Sequence, residues 1–133
     1  MSFLWSSDYP LEQHVNDQMY TYLVAATSRS DYIRSHRHAA AIVYKDNVIA
    51  TGNNLLKTHP IMLKWGKNPE SLFLHAEMDA IVRGIRAVGE DIFPYCTMYV
   101  LRKTRGGKVG NSCPCEGCRR AITSFGFKEV YWS

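Results

Sequence analysis

Three side chains in this sequence have the types and spacing to hold a metal ion. Pro114-Cys115-Glu116-Gly117-Cys118 sets two thiols three residues apart, just inside an expected helix start. At that spacing both sulfurs lie on one helix face and can bind one ion. The partial positive charge of a helix N-terminus favours the thiolate form that metal binding requires. His75 also sits at an expected helix start and is the natural third ligand, so that two helix ends meet at the ion. Three protein ligands leave the fourth tetrahedral position to water, the pattern of a catalytic rather than a structural zinc. One neutral imidazole and two thiolates give such a site no net charge, so it can still stabilise a bound hydroxide.

Glu77 adds a carboxylate and a constraint. Residues two apart in a regular helix point roughly 200° away from each other. His75 and Glu77 can therefore share a site only if the helix proper begins within a residue or two of His75, not back at Ser71. A lone Cys-x-x-Cys is also the mark of a structural zinc knuckle, and Cys113 as a fourth ligand would close the site. That closure needs Cys113 and Cys115 to chelate together across Pro114, where alternate residues entering a helix diverge. Cys96 opens an expected strand and is read as a small buried apolar residue.

These groups need elements to position them. Val15, Met19, Tyr22, Leu23 and Ala26 recur at helical spacing, which predicts a first helix from Leu11 to about Thr27, with Pro10 at its first turn. Ala39 to Tyr44 and Val48 to Thr51 read as a β-hairpin turning at Asp46-Asn47. Asn53 to about Leu74, with Pro60 and Pro69, reads as a long and partly irregular connection bordering the site. A second helix follows, with Ala76, Ala80, Ile81, Ile85 and Val88 on one face. Thr97 to Leu101 is a strand, and Arg102 to Ser112, with three glycines, a mobile loop. Pro114 opens a third helix ending near Gly126, and Lys128 to Trp132 is the last strand. Helices alternating with strands imply parallel pairing in the second half, and a layered α/β domain with a mixed sheet.

Length and composition set the frame. A chain of 133 residues is read as one domain, residues 1–133, around a single core. No apolar run is long enough to span a bilayer, and the start lacks the features of a secretory signal. A cytoplasmic, reducing location is expected, where four cysteines serve as metal ligands or free thiols. A net charge of +4 is compatible with an anionic substrate or nucleic acid and demands neither. Its distribution says more. Arg102, Lys103, Arg105 and Lys108 cluster just before the zinc cysteines, where a basic loop suits a phosphate, although charged loops are commonly just solvated. His59, Lys57 and Lys64 lie in the earlier loop.

With His75-Ala76-Glu77, Pro114-Cys115 and Cys118 in view, the chain resembles the cytidine and deoxycytidylate deaminase superfamily from about His38 to the end. The likeness is to small phage-type or bacterial deoxycytidylate deaminase-like proteins, which often carry Lys-Thr-His-Pro before the zinc histidine, as Lys57 to Pro60 do here. It implies a three-layer α/β fold with a mixed central sheet. Two departures stand out. The expected elements end after a fourth strand, so the fifth strand of many relatives is expected to be missing. His38-Ala39-Ala40 replaces their Val-Gly-Ala. In the family's chemistry zinc supplies hydroxide, and the carboxylate corresponding to Glu77 moves the proton to the ring and then to the leaving amine. The resemblance carries Asn54 over as a sugar or base contact, and the backbone around Ala76 and Cys113 as base-aligning groups. Arg102 and Arg105 are read as phosphate contacts, and deoxycytidine monophosphate (dCMP) as the substrate. A homo-oligomer is expected, with no membrane partner. Two alternatives stay open: deamination of another base, including one in transfer RNA or single-stranded DNA read by Trp5 and Trp65, and a non-catalytic zinc-binding module.

Overall fold

The computed structural model describes residue 11 and residues 15–32, 36–66 and 73–133. Helix α1 runs over Asp17–Ala26. It starts later than its periodicity suggested because Asn16 caps it, the side-chain oxygen accepting from the Met19 N–H at 2.8 Å. Pro10 and Trp5 lie outside the described residues.

Strands β1 (Arg37–Tyr44) and β2 (Asn47–Asn53) form the hairpin. Its two-residue turn is Lys45-Asp46, one residue earlier than expected, with φ of 47° and 65°. Positive φ at both positions gives the turn whose twist matches the flanking strands. The long connection is more regular than its prolines suggested. Strand β3 (Leu55–Thr58) pairs antiparallel with β4 (Phe73–Leu74), and α2 (Pro60–Trp65) rises between them with Pro60 at its start. His59 caps α2, its Nδ1 accepting from the Ile61 N–H.

Helix α3 (Ala76–Val88) is followed by a short 3₁₀ segment, Glu90–Tyr95, then β5 (Thr97–Lys103). The stretch expected as a mobile loop is a hairpin instead. Arg102 and Lys103 finish β5, Gly107 turns the chain at φ 82°, and β6 (Val109–Gly110) pairs back onto them. Helix α4 (Glu116–Ser124) and β7 (Glu129–Trp132) complete the described chain.

The sheet runs β2-β1-β5, with β7 parallel to the first half of β5 and β6 antiparallel to its end. It is the expected mixed sheet. The fifth member, where only four strands were expected, is the two-residue β6. The order advances in one direction through both crossovers, so the right-handed rule sets α3 and α4 on one face. There Ala40, Ile42, Met98, Val100 and Val130 pack against Ala80, Ile81, Ala121, Ile122 and Phe93. On the other face Leu11, Leu23 and Ala26 cover Ala39, Ala41, Val43 and Leu101. Cover on both faces is why β1 is an unbroken apolar run and not an alternating one. Ile85 and Val88, expected on the buried face of α3, are 38% and 50% exposed. The contact is carried instead by Gly84, where a Cβ would come within 3.1 Å of the Phe93 ring. Among the described residues no helix is long and apolar enough to cross a membrane.

Candidate active site

His75 is the N-cap of α3 and Cys115 the N-cap of α4, both in extended backbone (ψ 156° and 169°). The helix after His75 starts where the His75–Glu77 spacing requires, so ring and carboxylate face one pocket. Helix α4 starts at Glu116, later than Pro114 suggested, which leaves Cys115 at the cap and Cys118 in the first turn.

The donors converge. His75 Nδ1 lies 3.3 Å from Cys118 Sγ and 3.6 Å from Cys115 Sγ, and all three atoms fall within 4.8 Å of one another. A tetrahedral zinc with bonds of about 2.1 Å to nitrogen and 2.3 Å to sulfur needs nitrogen–sulfur edges of about 3.5 Å. Both nitrogen–sulfur distances lie close to that edge, so the donor set fits such an ion. Cys113, the candidate fourth ligand, is exposed and stands outside the cluster. Cys96 is buried, its thiol donating to the Ile92 carbonyl, as expected of a small core residue.

Electrostatics favour a thiolate here. The Cys115 thiol is held down to about 3, chiefly by the hydrogen bond that the Cys118 thiol donates and further by the His75 ring, against the cost of burial. The same hydrogen bond and burial push Cys118 well up, so the pair holds one proton between them. Cys115 raises the pKa of His75. Glu77 is 5% exposed, and burial raises its carboxyl pKa above the ordinary range.

A packed joint holds the start of α3 to the sheet. Gly52 brings β2 against the first turn of α3 so closely that a Cβ would lie 2.2 Å from Ala80 N and 2.4 Å from Ala76 O. The next residue, Asn53, is buried; its N–H donates to Asp79 Oδ2 (3.0 Å) and its Nδ2 to the Ala26 and His38 carbonyls (2.8 and 2.9 Å). Arg83 Nε donates to both Asp79 oxygens at 3.1 and 3.2 Å.

Beside the donors opens a cleft of about 240 Å³, lined by Tyr32, His38, Asn54, His75, Ala76, Glu77, Ser112, Cys113 and Cys115. Asn54, Ala76 and Cys113 thus line it. The Asn54 amide is also engaged within the protein: Oδ1 accepts from the His38 N–H (2.9 Å) and Ser30 Oγ, and Nδ2 donates to the His36 carbonyl (2.8 Å). Arg102 stands beside the cleft, opposite His38 across β1 and β5. Arg105 and Lys108 are exposed in the hairpin and do not line it, nor do Lys57, His59 and Lys64. Lys64 instead lies over the Trp65 ring. Sequence reasoning missed Tyr32 and Ser112, and treated His38 only as a departure from the strand pattern. Alternation along β1, which sets His36 and His38 on one face, was the available signal. Burial first and Arg102 second lower the His38 pKa to about 4, so this ring is neutral near pH 7.

Comparison with solved structures shows the same fold in the dCMP deaminase of cyanophage S-TIM5, at 18% identity over 89% of this chain and 84% of that one, TM-score 0.54. A mutant cytidine deaminase from Mycobacterium tuberculosis shares it at 21% identity, 90% and 85% coverage and TM-score 0.53. The guanine deaminase of Bacillus subtilis shares it at 20% identity over 90% of this chain and 64% of that one, TM-score 0.54. No curated protein gives a significant match. The profile of the cytidine and deoxycytidylate deaminase zinc-binding region matches residues 14–133, and with the His75, Cys115 and Cys118 donors already in tetrahedral reach, the chain belongs to this family of zinc-dependent hydrolytic deaminases.

Proposed function

We propose that this enzyme deaminates a cytosine nucleotide, converting dCMP to dUMP, with His75, Cys115 and Cys118 holding zinc and Glu77 carrying the proton. The observation that carries the reading is the buried Glu77 carboxylate in the wall of the same cleft as the three donors. When bound, zinc lowers the pKa of its water toward neutrality and so makes a nucleophile available at ordinary pH. The rest falls to this chain's residues. The Glu77 carboxylate accepts a proton from the attacking water and delivers it to the ring nitrogen. Oxygen bonds to the amine-bearing carbon, a second proton passes through Glu77 to the amine, and the carbon–nitrogen bond breaks to release ammonia. A carboxyl raised by burial suits both directions of transfer, because its pKa moves toward the working pH.

Cleft size supports a single base. About 240 Å³ lies below the roughly 300–1,000 Å³ common for drug-sized ligands. A base fits inside, with its sugar at the mouth. Asn54, Ala76 and Cys113 then align the base, and Cys113 is reachable because its side chain is exposed. The cyanophage enzyme of this fold has a structure with dCMP and dUMP, which favours the same substrate here. Leu56, Leu63 and Phe73, exposed around β3, α2 and β4, favour a homo-oligomer that covers them.

The test is Glu77→Gln on zinc-loaded protein, with ammonia release measured against dCMP, cytidylate, the nucleosides, adenine and guanine compounds and a transfer RNA anticodon stem. A general acid–base group contributes about 10²–10⁴-fold, so turnover should fall by at least about a hundredfold while zinc content stays unchanged. Retained activity refutes the role of Glu77, and turnover confined to a purine refutes the substrate.

A further inference from the structure

We infer that Arg102 is the anchor for the 5′-phosphate of the substrate, with His36 occupying its phosphate-binding edge until the nucleotide arrives, and that this anchor makes the enzyme prefer nucleotides to nucleosides. The inference rests on the proposed deamination of a cytosine nucleotide in the adjoining cleft.

Register puts these groups together. His38 lies directly opposite Arg102, so the two share a face of the sheet, and His36, just before β1, meets Arg102 through its ring. Lys103, by contrast, pairs with Arg37 and points to the other face, the one covered by α1. Of the four basic residues before the zinc cysteines, Arg102 alone is both on the site face and beside the cleft. His38 lines that cleft, and strands sit about 5 Å apart, so Arg102 stands one strand from the pocket wall.

The guanidinium is incompletely used. Nη1 donates to the Asn111 carbonyl at 3.1 Å, and Nη2 lies 2.6 Å from His36 Nδ1. Nε is buried and has no hydrogen-bond partner among the described residues. Among the described residues no carboxylate pairs with the guanidinium; the ion pair there joins Arg83 and Asp79. Nε and Nη2 form the edge with which arginine grips phosphate through two parallel hydrogen bonds. On that edge one N–H has no acceptor among the described residues, and the other meets only an imidazole nitrogen. Arginine has only donors, so the imidazole nitrogen stands where an acceptor belongs. His36 is exposed and its backbone is held by the bond from Asn54 Nδ2 to its carbonyl, so displacing the ring from the guanidinium need not move the strand. A phosphate offers both missing acceptors and the missing negative charge. Asn54 thus ties the base pocket, through His38, to the mouth, through His36.

The experiment uses zinc-loaded protein and compares kcat/KM for dCMP, deoxycytidine and a cytosine-containing single-stranded oligonucleotide in wild type, Arg102→Gln, Arg102→Lys and His36→Ala. Phosphorus NMR titration with inorganic phosphate runs in parallel. The wild type should prefer dCMP to deoxycytidine by about a hundredfold. Arg102→Gln should lose that preference, with kcat/KM for dCMP falling through KM by far more than kcat/KM for deoxycytidine falls. Arg102→Lys, which keeps the charge but not the fork, should lose about tenfold on dCMP alone, and it serves if Arg102→Gln fails to fold. His36→Ala should hold or lower the KM for dCMP. An equal loss on nucleoside and nucleotide, or no loss on either, overturns the anchor. An effect confined to the oligonucleotide overturns the mononucleotide assignment. If no cytosine compound is deaminated, the parent reading fails, yet phosphate binding that disappears in Arg102→Gln still upholds the anchor.

Discussion

Replacing Gly52 with alanine should damage the metal site from behind, although Gly52 touches none of its donors. The added Cβ would lie 2.2 Å from Ala80 N, 2.4 Å from Ala76 O and 2.8 Å from Asp79 C, where ordinary contact begins near 3.4 Å. All three atoms are backbone of α3, so no side chain can swing aside. Relief requires the first turn of α3 to move off β2 by about 1.2 Å, the difference between contact and clash. That turn carries His75 and Glu77. A His75 Nδ1 displaced by about 1 Å from its present 3.3 and 3.6 Å to the sulfurs no longer matches a tetrahedral edge of about 3.5 Å.

Overpacking costs about 1–3 kcal/mol, and a clash with backbone belongs at the upper end. For a domain of this size each kcal/mol lowers Tm by about 3–5 °C, so Gly52→Ala should melt about 10 °C below wild type. Disturbed support of a metal ligand costs about 10–100-fold in metal affinity, and a misplacement of about 1 Å costs about a hundredfold in rate. Thermal melts in chelator, zinc competition titration and ammonia release measure the three separately. Gly106→Ala is the control, since nothing lies within 4 Å of its Cβ position and its φ is not positive; it should leave all three unchanged. A Gly52→Ala protein with wild-type Tm and zinc affinity would show that the joint between β2 and α3 is not what positions the ligand.

Two further substitutions test the surroundings of the site. His38 has its pKa lowered to about 4 from the ordinary histidine value of about 6.5. Below pH 6.5 the unfolded chain therefore takes up a proton that the folded one refuses, and stability falls as pH drops toward 4. Between pH 7 and pH 5 this should cost about 2 kcal/mol; urea unfolding of chelator-treated His38→Asn should show a correspondingly flatter pH dependence, and an unchanged slope would refute the burial of an uncharged ring. Asp79→Ala strands the Asn53 N–H, which now donates to its carboxylate, so it should lose about 1–3 kcal/mol of unfolding free energy, with Asp79→Asn losing less because it keeps an acceptor; equal losses from the two would show that the charge, and not the hydrogen bond, matters there.

The metal donors were legible because their geometry is local. Cys115 and Cys118 fall within one helical turn, and the His75–Glu77 spacing fixes where α3 must start; neither inference needs the sheet. The mouth of the cleft was illegible for the opposite reason. His36 and Arg102 are 66 residues apart and meet only through the register of β1 on β5. A shift of one residue in that register would turn Arg102 to the α1 face and bring Lys103 to the site. Arg105 and Arg102 were equivalent as members of a basic run, and pairing of β6 with the end of β5 separates them, leaving Arg105 in an exposed turn. Adjacent asparagines were ambiguous in the same way: Asn53 is drawn inward by the close approach at Gly52, and Asn54 is left to line the cleft. The division has a functional consequence. The residues of the zinc motif sit in short-range spacing, whereas the proposed phosphate anchor depends on which side chain the sheet register brings to the mouth. With Arg102 as the proposed phosphate anchor, a change in the length of the β1–β2 turn should be tolerated by the metal site, while a register change between β1 and β5 should alter substrate preference before it alters zinc binding.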